Sequence, residues 1–135
     1  MIIDEDFLGS ILEQAYGNSR RRANYDLRTS VDDKSQRMLN VLLPGTQVPI
    51  HRHIETTETV VVLRGRLTEV FFNEDGTESV RYNLCPTEGS YALQVPKGIW
   101  HTVIVDEPCV IFEAKDGAYK PLSIDDTMNS TILSE

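Results

Sequence analysis

The three histidines of this 135-residue chain carry its clearest signal for chemistry. His51 and His53 are two residues apart in the stretch PIHRHIETTETVVVLRG (49–65), and His101 lies much further along, in VPKGIWHTVIV. Residues two apart in a strand point to the same face, about 7 Å from each other, so His51 and His53 can reach one ion. Imidazole and carboxylate ligands suit Zn, Fe, Mn, Ni or Cu better than Ca or Mg. The spacing therefore indicates a transition-metal site.

Two glutamates compete for a fourth position in this site. Glu55 is in phase with His53 if the strand continues, whereas Glu58 lies five residues beyond His53 and is out of phase. Glu58 joins the histidines only if residues 54–57 (IETT) turn the chain, so that Glu58 opens a second strand antiparallel to the first. The residues alone leave both glutamates open. The ordinary alternative is a polar turn with structural histidines.

The elements that must position these residues are mostly strands. One amphipathic helix is predicted before Gly17-Asn18, because its apolar residues have helical spacing: Phe7, Leu8, Ile11, Leu12 and Ala15. Short β-rich segments then alternate with turn signals, at 36–43, 59–72, 79–84, 90–95, 100–105 and 110–114. Asp75-Gly76 predicts the turn of the clearest hairpin. With no helical insertions, the pattern predicts a mainly β, single-domain sandwich or barrel rather than parallel βαβ units.

The chain is divided into three parts on this basis. Residues 1–30 are predicted to hold the helix and a lead-in segment, and residues 31–120 the β-barrel. Residues 121–135 form a mixed C-terminal tail that either packs against an edge of the barrel or extends from it.

Composition limits the classes of partner. The formal net charge of -8 argues against nucleic acid and against anionic membrane surfaces, because both require a basic face. No apolar stretch approaches the roughly 18 residues of a membrane span, and the N-terminus lacks the pattern of a signal peptide. Cys85 and Cys109 are too few for a disulfide framework. We therefore expect a cytoplasmic protein with two reduced thiols in its core.

Two stretches resemble the two sequence motifs of the cupin superfamily. Residues 45–65 match G(X)5HXH(X)3-4E(X)6G at every fixed position. Residues 89–105 match G(X)5PXG(X)2H(X)3N, with one extra residue before Pro96 and with Val105 in place of the asparagine. The resemblance implies a single cupin domain, which is a small β-barrel or double-stranded β-helix (jelly roll). It also implies one divalent transition metal (Zn, Fe, Mn or Ni) held by His51, His53, Glu58 and His101.

A narrower resemblance covers most of the chain. In order, the chain contains SRRRANYDLR, SQRMLNVLLPGTQVPIHRH, VVVLRGRLTEVFFNEDG, VPKGIWHTVI and FEAKDGAYKP, and in this it is similar to the WbuC-type cupin metalloproteins. Those proteins are often associated with surface-polysaccharide (O-antigen) gene clusters. The resemblance implies a small polar ligand, such as a sugar or nucleotide-sugar. Because cupins often pair sheets across chains, it also predicts a homodimer.

Seven residues are candidates for the walls of a pocket around the metal. Alternation from His101 places Val103 and Val105 on its face, and alternation from Glu58 extends that face to Arg64. Polar side chains on neighbouring strands complete the set, namely Arg37 and Asn40 before the first motif, and Glu113 and Lys115 on the last strand. The ordinary interpretation of each polar candidate is a solvated strand residue.

Two further features admit an ordinary and a functional interpretation. Arg20, Arg21 and Arg22 follow the helix, where cations complement the helix dipole, and this interpretation is preferred over a grip on the phosphate of a nucleotide-sugar. Trp100 is expected in the core or at its rim rather than as a stacking platform.

The sequence is compatible with three hypotheses about the function of this protein. The first is a metalloenzyme that acts on a small polar molecule, with an iron-dependent dioxygenase as one form of it. The second is a non-catalytic, ligand-binding or regulatory cupin, favoured because no general acid or base is visible beyond the ligands. The third is a barrel without metal.

Overall fold

The computed structural model describes residues 1–132, with residues 129–132 described as backbone only. One helix, ten strands and two short 3-10 turns make up this part of the chain. Their bounds are α1 Glu5–Tyr16, β1 Arg22–Asp26, β2 Ser35–Leu42, β3 Pro49–His51, β4 Glu58–Arg64, β5 Leu67–Phe72, β6 Glu78–Leu84, β7 Ala92–Val95, β8 Trp100–Val105, β9 Cys109–Asp116 and β10 Thr127–Ile132, with 3-10 turns at Pro86–Glu88 and Ile124–Asp126.

The strands form two five-stranded sheets. The first sheet has the order β1-β2-β9-β4-β7, and the second has the order β10-β3-β8-β5-β6. Every neighbouring pair is antiparallel. The two sheets and the single short helix confirm the prediction of a mainly β, single-domain fold.

The apolar core lies between the two sheets. Val60, Val62 and Ile111 from the first sheet pack with Leu67 and Val105 from the second, and all five side chains are buried. Alternation along each strand brings these residues to the interior face, since neighbouring strand residues point to opposite faces. The removal of these apolar side chains from water is the main source of stability in a domain of this size.

The N-terminal helix covers the outer face of the first sheet. It begins at Asp4, whose carboxylate accepts a hydrogen bond from the amide of Phe7 at 3.0 Å, and it ends at Gly17. Its apolar stripe packs on buried residues on the face of the first sheet that points away from the second sheet. Leu8, Ile11 and Ala15 of the helix form one cluster with Leu39, Val41, Leu43 and Val110. The predicted helix and its stop at Gly17 are confirmed.

The long apolar segment 59–72 forms two strands that lie in different sheets. Gly65 separates β4 from β5 and has a φ of +95°, a left-handed conformation that glycine adopts without strain. A Cβ at this position would lie 2.3 Å from the carbonyl oxygen of Pro108 and 2.7 Å from the Cβ of Cys109. Only glycine therefore allows the chain to cross between the sheets here.

The expected pairing of the two motif strands is wrong. Residues 52–57 do turn the chain, but β4 pairs with β7 and β9, whereas β3 pairs with β8 and β10. The turn moves the chain from one sheet to the other, so Glu58 faces the histidines across the gap between the sheets. Both edges of β3 are already paired, one with β8 and one with β10, so β4 has no free edge of β3 to pair with.

Two strands lie in segments for which no strand was predicted. β1, in the lead-in segment, pairs with β2 along its whole length, and β10, in the tail, pairs with β3. The segment of β1, RANYD, lacks an apolar alternation because most of the strand is exposed. The division at residues 30 and 120 stays a prediction, and residues 133–135 of the tail lie outside the described part.

Cys85 and Cys109 are both buried and are not joined by a disulfide. Burial raises the pKa of the Cys109 thiol to about 12, as expected for an inert core residue. Among the helices in the described residues, none has the length and apolarity needed to cross a membrane.

The crossing at Gly65 generates a test of the fold. Gly65→Ala forces a Cβ against the backbone of Pro108 and strains a positive φ, so we expect a loss of about 2–4 kcal/mol in the free energy of unfolding. Gly9→Ala is the matched control. Gly9 lies inside α1 with no atom within 4 Å of an added Cβ, and we expect a gain of about 0.5–1 kcal/mol. Urea unfolding of both variants measures the difference, and equal stabilities would contradict the close crossing.

Candidate metal centre

The pairing of β3 with β8 places His51 directly opposite His101. The centroids of the two rings are 4.3 Å apart. The Nδ1 of His51 lies 2.9 Å from the carbonyl oxygen of Pro49, and the Nδ1 of His101 lies 3.0 Å from that of Ile99. A carbonyl oxygen only accepts, so each Nδ1 carries the proton. The Nε2 of each ring is then left as a free lone pair for a metal.

His53 completes a triangle of imidazoles. It follows the end of β3, and its carbonyl oxygen accepts a hydrogen bond from the amide of Gly98 at 2.8 Å, which ties the two motif turns together. Its ring centroid is 5.1 Å from that of His51 and 5.6 Å from that of His101. One ring nitrogen from each histidine lies within 4.8 Å of the other two. These three side chains could hold one metal ion.

Burial keeps all three imidazoles neutral at physiological pH. It lowers the pKa of His51 and of His101 to about 4, and the nearby His101 contributes to the shift at His51. For His53, burial followed by the charge of Lys115 lowers the pKa to about 3. Neutral imidazole is the form that binds a metal, so no proton has to leave these rings first.

Glu58 approaches the triangle from the opposite sheet. Its Oε2 lies 3.5 Å from the Nε2 of His53 and also 3.5 Å from the Nζ of Lys115, its neighbour on β9. Burial raises the pKa of Glu58, while Lys115 opposes that rise. Glu55, the competing carboxylate, is exposed and pairs with Lys120 at 2.9 Å.

The donor set suits a borderline transition metal. Three neutral nitrogens and one adjacent carboxylate are the ligands that Zn, Fe, Mn and Ni accept. The Nε2 of His53 is buried and has no hydrogen-bond partner among the described residues, which is costly for a polar atom unless something binds it. The residues present therefore fit such an ion.

An open cavity of about 1380 Å³ leads to this site. Four of the seven predicted wall residues line it, namely Asn40, Val103, Glu113 and Lys115. Asn40 hydrogen-bonds the side chain of Glu113 on the adjacent strand. Burial and the charge of Glu58 raise the pKa of Glu113.

The other three predicted wall residues lie outside the cavity lining. Arg37 donates to the carbonyl oxygens of Ser35 and Leu27 and pairs with Asp33, which turns it away from the site. A bulge between Val62 and Arg64 breaks the alternation on β4, so Arg64 is exposed and pairs with Glu5 of α1. Val105 is buried in the apolar core between the sheets.

Glu69 is a residue of the cavity wall that was not among the seven predicted wall residues. It lines the cavity from β5 and is only 1% exposed. Its Oε2 has no hydrogen-bond partner among the described residues, and such an atom typically costs about 1–3 kcal/mol. A signal existed in the sequence, because Glu69 is the single charged residue of the strand LTEVFF and is in phase with the buried Leu67.

The interior of the sandwich therefore changes from apolar to polar along its strands. On β4 the interior residues run from Val62 and Val60 to Glu58, and on β5 they run from Leu67 to Glu69. The same order holds on the other strands, with Ile111 before Glu113 and Lys115, and Val105 and Val103 before His101. One end is a closed core, and the other is a polar cavity.

Arg20 and Arg22 also line this cavity, with Arg20 exposed and Arg22 partly buried. The helix ends at Tyr16 with no basic residue in its last turn, so the preferred interpretation of these arginines as helix-end charges lacks support. In the part of the chain described with side chains, neither guanidinium belongs to an ion pair. Burial and the charge of Arg20 lower the pKa of Arg22.

Arg21 and Trp100 have structural contacts. Arg21 lies 5.8 Å from the ring centroid of Tyr16 and donates to the carbonyl oxygen of Pro44. Trp100 is buried, with its indole nitrogen donating to Glu74 at 3.2 Å and the guanidinium of Arg52 stacked 4.4 Å from its ring centroid. Trp100 thus lies at the rim of the core, as expected.

One family model and several solved structures are similar to this chain. Residues 3–84 match a family model with the description Domain of unknown function (DUF6016). No curated protein matches the chain. Among solved structures, the chain is similar to the capsular polysaccharide assembling protein CapF from Staphylococcus aureus, with 19% identity and a TM-score of 0.61 over 73% of this chain and 27% of that chain.

Two other solved structures show the same architecture. KdgF from Halomonas sp. is 14% identical with a TM-score of 0.58, over 73% of this chain and 82% of that chain. An oxalate decarboxylase is 23% identical with a TM-score of 0.59, over 77% of this chain and 28% of that chain. At these identities the likeness shows the fold alone, a sandwich of two antiparallel sheets that these proteins share with the chain. The chain spans only about 30% of the CapF chains.

The lowered pKa values predict how many protons leave when a metal binds. At pH 6 a histidine with an ordinary pKa is about three-quarters protonated, so three such ligands would release about two protons per ion. The imidazoles of His51, His53 and His101 are already neutral at this pH. We therefore expect the imidazoles to release almost no protons, and the protons that do leave should come from the carboxyl groups of the cavity, chiefly from Glu58, whose pKa is raised.

Titration calorimetry with Zn²⁺ at pH 6, in buffers of different ionisation enthalpy, measures this number. Glu58→Gln should reduce this number, because the amide has no proton to lose. Release of two or more protons per ion would contradict the neutral triangle.

Proposed function

The chain belongs to the family described as a domain of unknown function, DUF6016, and from the site we propose that it is a metal-binding cupin that acts on a small polar molecule. In this proposal His51, His53, His101 and Glu58 hold one divalent transition metal. The observation that carries the proposal is the convergence of three neutral imidazoles on one wall of an accessible cavity.

Each proposed ligand has a distinct role. The backbone carbonyls of Pro49 and Ile99 orient His51 and His101, so their Nε2 atoms stay aimed at the ion. Glu58 supplies a negative charge that offsets part of the charge of the ion, and Lys115 holds that carboxylate from the other side. A bound divalent ion supplies Lewis acidity toward an oxygen atom of a ligand in the cavity.

We propose a sugar or a nucleotide-sugar as the ligand. The resemblance to WbuC-type cupins supports this, as does the fold shared with a capsular polysaccharide assembling protein. The cavity supports it physically, because hydrogen-bonding side chains line it together with the guanidinium groups of Arg20 and Arg22, which form no ion pair with any residue whose side chain is described. Guanidinium groups bind phosphate oxygens with charge-assisted hydrogen bonds.

The buried carboxyl groups favour an enzyme over a binding-only cupin. Glu113 lines the cavity, and burial together with Glu58 raises its pKa toward the range in which a carboxyl group exchanges protons at neutral pH. Metal-loaded protein is incubated with nucleotide-sugars and small sugars, and products are followed over long times. Turnover supports the enzyme, and binding without product supports the regulatory alternative.

We also propose that the protein is cytoplasmic and forms a homodimer. A cytoplasmic location follows from the composition argument, and a homodimer follows from the family resemblance. Light scattering tests the second, since a dimer has twice the 15.3 kDa mass of the chain.

The ligand set predicts which variants lose the metal. His51→Ala and Glu58→Gln each remove a proposed ligand, and we expect an affinity for Zn²⁺ at least about 100-fold weaker. Glu55→Gln is the matched control, because Glu55 pairs with Lys120 and should leave the affinity unchanged. Elemental analysis of purified protein and competition with a fluorescent chelator measure the effect. Full metal content in His51→Ala would overturn the proposal.

The arginine pair predicts how a nucleotide-sugar binds. Arg22→Gln removes one charge-assisted contact to phosphate, so we expect binding to weaken about tenfold, and the wild-type affinity should fall as salt is added. Arg28→Gln is the control, because Arg28 pairs with Asp26 outside the cavity. Calorimetry with a panel of UDP- and GDP-sugars measures the change. Equal affinity of Arg22→Gln and wild type would remove the phosphate contact from the proposal.

A further inference from the structure

Glu69 occupies a position at which a strand normally places an apolar side chain. It alternates with Leu67 on β5, and its partner across the second sheet is Val103 of β8. The neighbouring residues on the strand, Thr68 and Val70, point to the opposite face. Glu69 therefore stands where the apolar core ends and the polar cavity begins.

The carboxyl group of Glu69 belongs to no ion pair in the part of the chain described with side chains. Its Oε2 is fully buried and has no hydrogen-bond partner there. Lys115, one of the cations that line the cavity, contacts Glu58 instead. A buried polar group without a partner destabilises a fold, so its position in the cavity wall requires an explanation.

The surroundings of Glu69 favour its neutral form. Burial, followed by the charges of Glu58 and Glu113, raises the pKa of Glu69 well above its usual range. A neutral carboxyl group offers one O–H donor as well as acceptor oxygens. A hydroxyl group is its complement, because a hydroxyl also both donates and accepts.

We propose that Glu69 is the binding residue for a neutral hydroxyl group of a polyhydroxylated molecule, such as a hexose unit, placed between Glu69 and the three histidines. The proposal rests on the proposed function, since it names the part of the ligand that the inner cavity receives. A carboxylate or phosphate group in the same place could only accept a hydrogen bond from Glu69, whereas a hydroxyl group can also donate one to the unpaired Oε2. An apolar group would leave the buried oxygen unpaired.

Glu69→Met replaces the carboxyl group by an uncharged side chain of similar length, and it should change both the Tm and the affinity for hexoses. Without ligand, the variant should have a higher Tm than wild type by a few degrees, because the unpaired carboxyl group is replaced by an apolar side chain. With ligand, it should bind hexoses about tenfold more weakly, because the hydroxyl group loses its partner. Glu69→Gln keeps a donor and an acceptor and should match wild type in both respects.

Thermal unfolding and calorimetry with D-glucose, D-galactose and D-mannose, on metal-loaded protein, provide both measurements. Glu13→Met, on the exposed face of α1, is the control for replacing any glutamate by methionine and should leave Tm and binding unchanged. Metal content is determined on each sample. A metal-free wild-type protein would refute the proposed function, whereas the Tm comparison of the unliganded variants tests Glu69 independently.

Several outcomes would overturn the inference. A lower Tm for Glu69→Met would mean that the carboxyl group has a structural partner. Hexose binding that is unchanged in Glu69→Met, or equally lost in Glu69→Gln, would mean that a neutral hydrogen bond is not what the side chain provides. Loss of metal in Glu69→Met, or no binding of any hexose by wild type, would also reject it.

Discussion

The pairing of β3 with β8 is the interaction on which the site depends. It sets His51 opposite His101 and brings their rings within 4.3 Å. β3 has only three residues, and an isolated strand of that length is not stable. It is held from both sides, by β8 and by β10, and the hydroxyl of Thr102 donates to the carbonyl oxygen of Val48 at 2.6 Å. The C-terminal strand thereby supports the metal centre without contributing a proposed ligand.

A second constraint is the change in polarity inside the sandwich. One end of the interior buries apolar residues and supplies stability, while at the other end three glutamates, three histidines and Lys115 line a cavity. Buried carboxyl groups cost free energy unless they are paired or protonated. The protein tolerates this cost at one end of its interior, which is typical of a functional site rather than of a packed core.

The carboxyl groups are not equivalent, although all three line one cavity. Glu58 is paired with Lys115 and lies beside His53, Glu113 is hydrogen-bonded by Asn40, and Glu69 has no partner among the described residues. These different surroundings suit the three carboxyl groups to different roles. Glu58 is placed to bind a metal, whereas the raised pKa values of Glu69 and Glu113 favour their protonated forms.

The sequence by itself determined the class of fold, the helix, most of the strands and the three histidines that converge. These rest on local signals, namely strand alternation, helical spacing, turn residues and a motif with fixed spacing. Only the tertiary structure decided that Glu58 reaches the histidines across two sheets, that Arg37, Arg64 and Val105 lie outside the cavity, and that Glu69 lies within it. The reason is physical: alternation tells which residues share a face of one strand, but the partner of that face is set by long-range strand pairing and by bulges such as the one before Arg64.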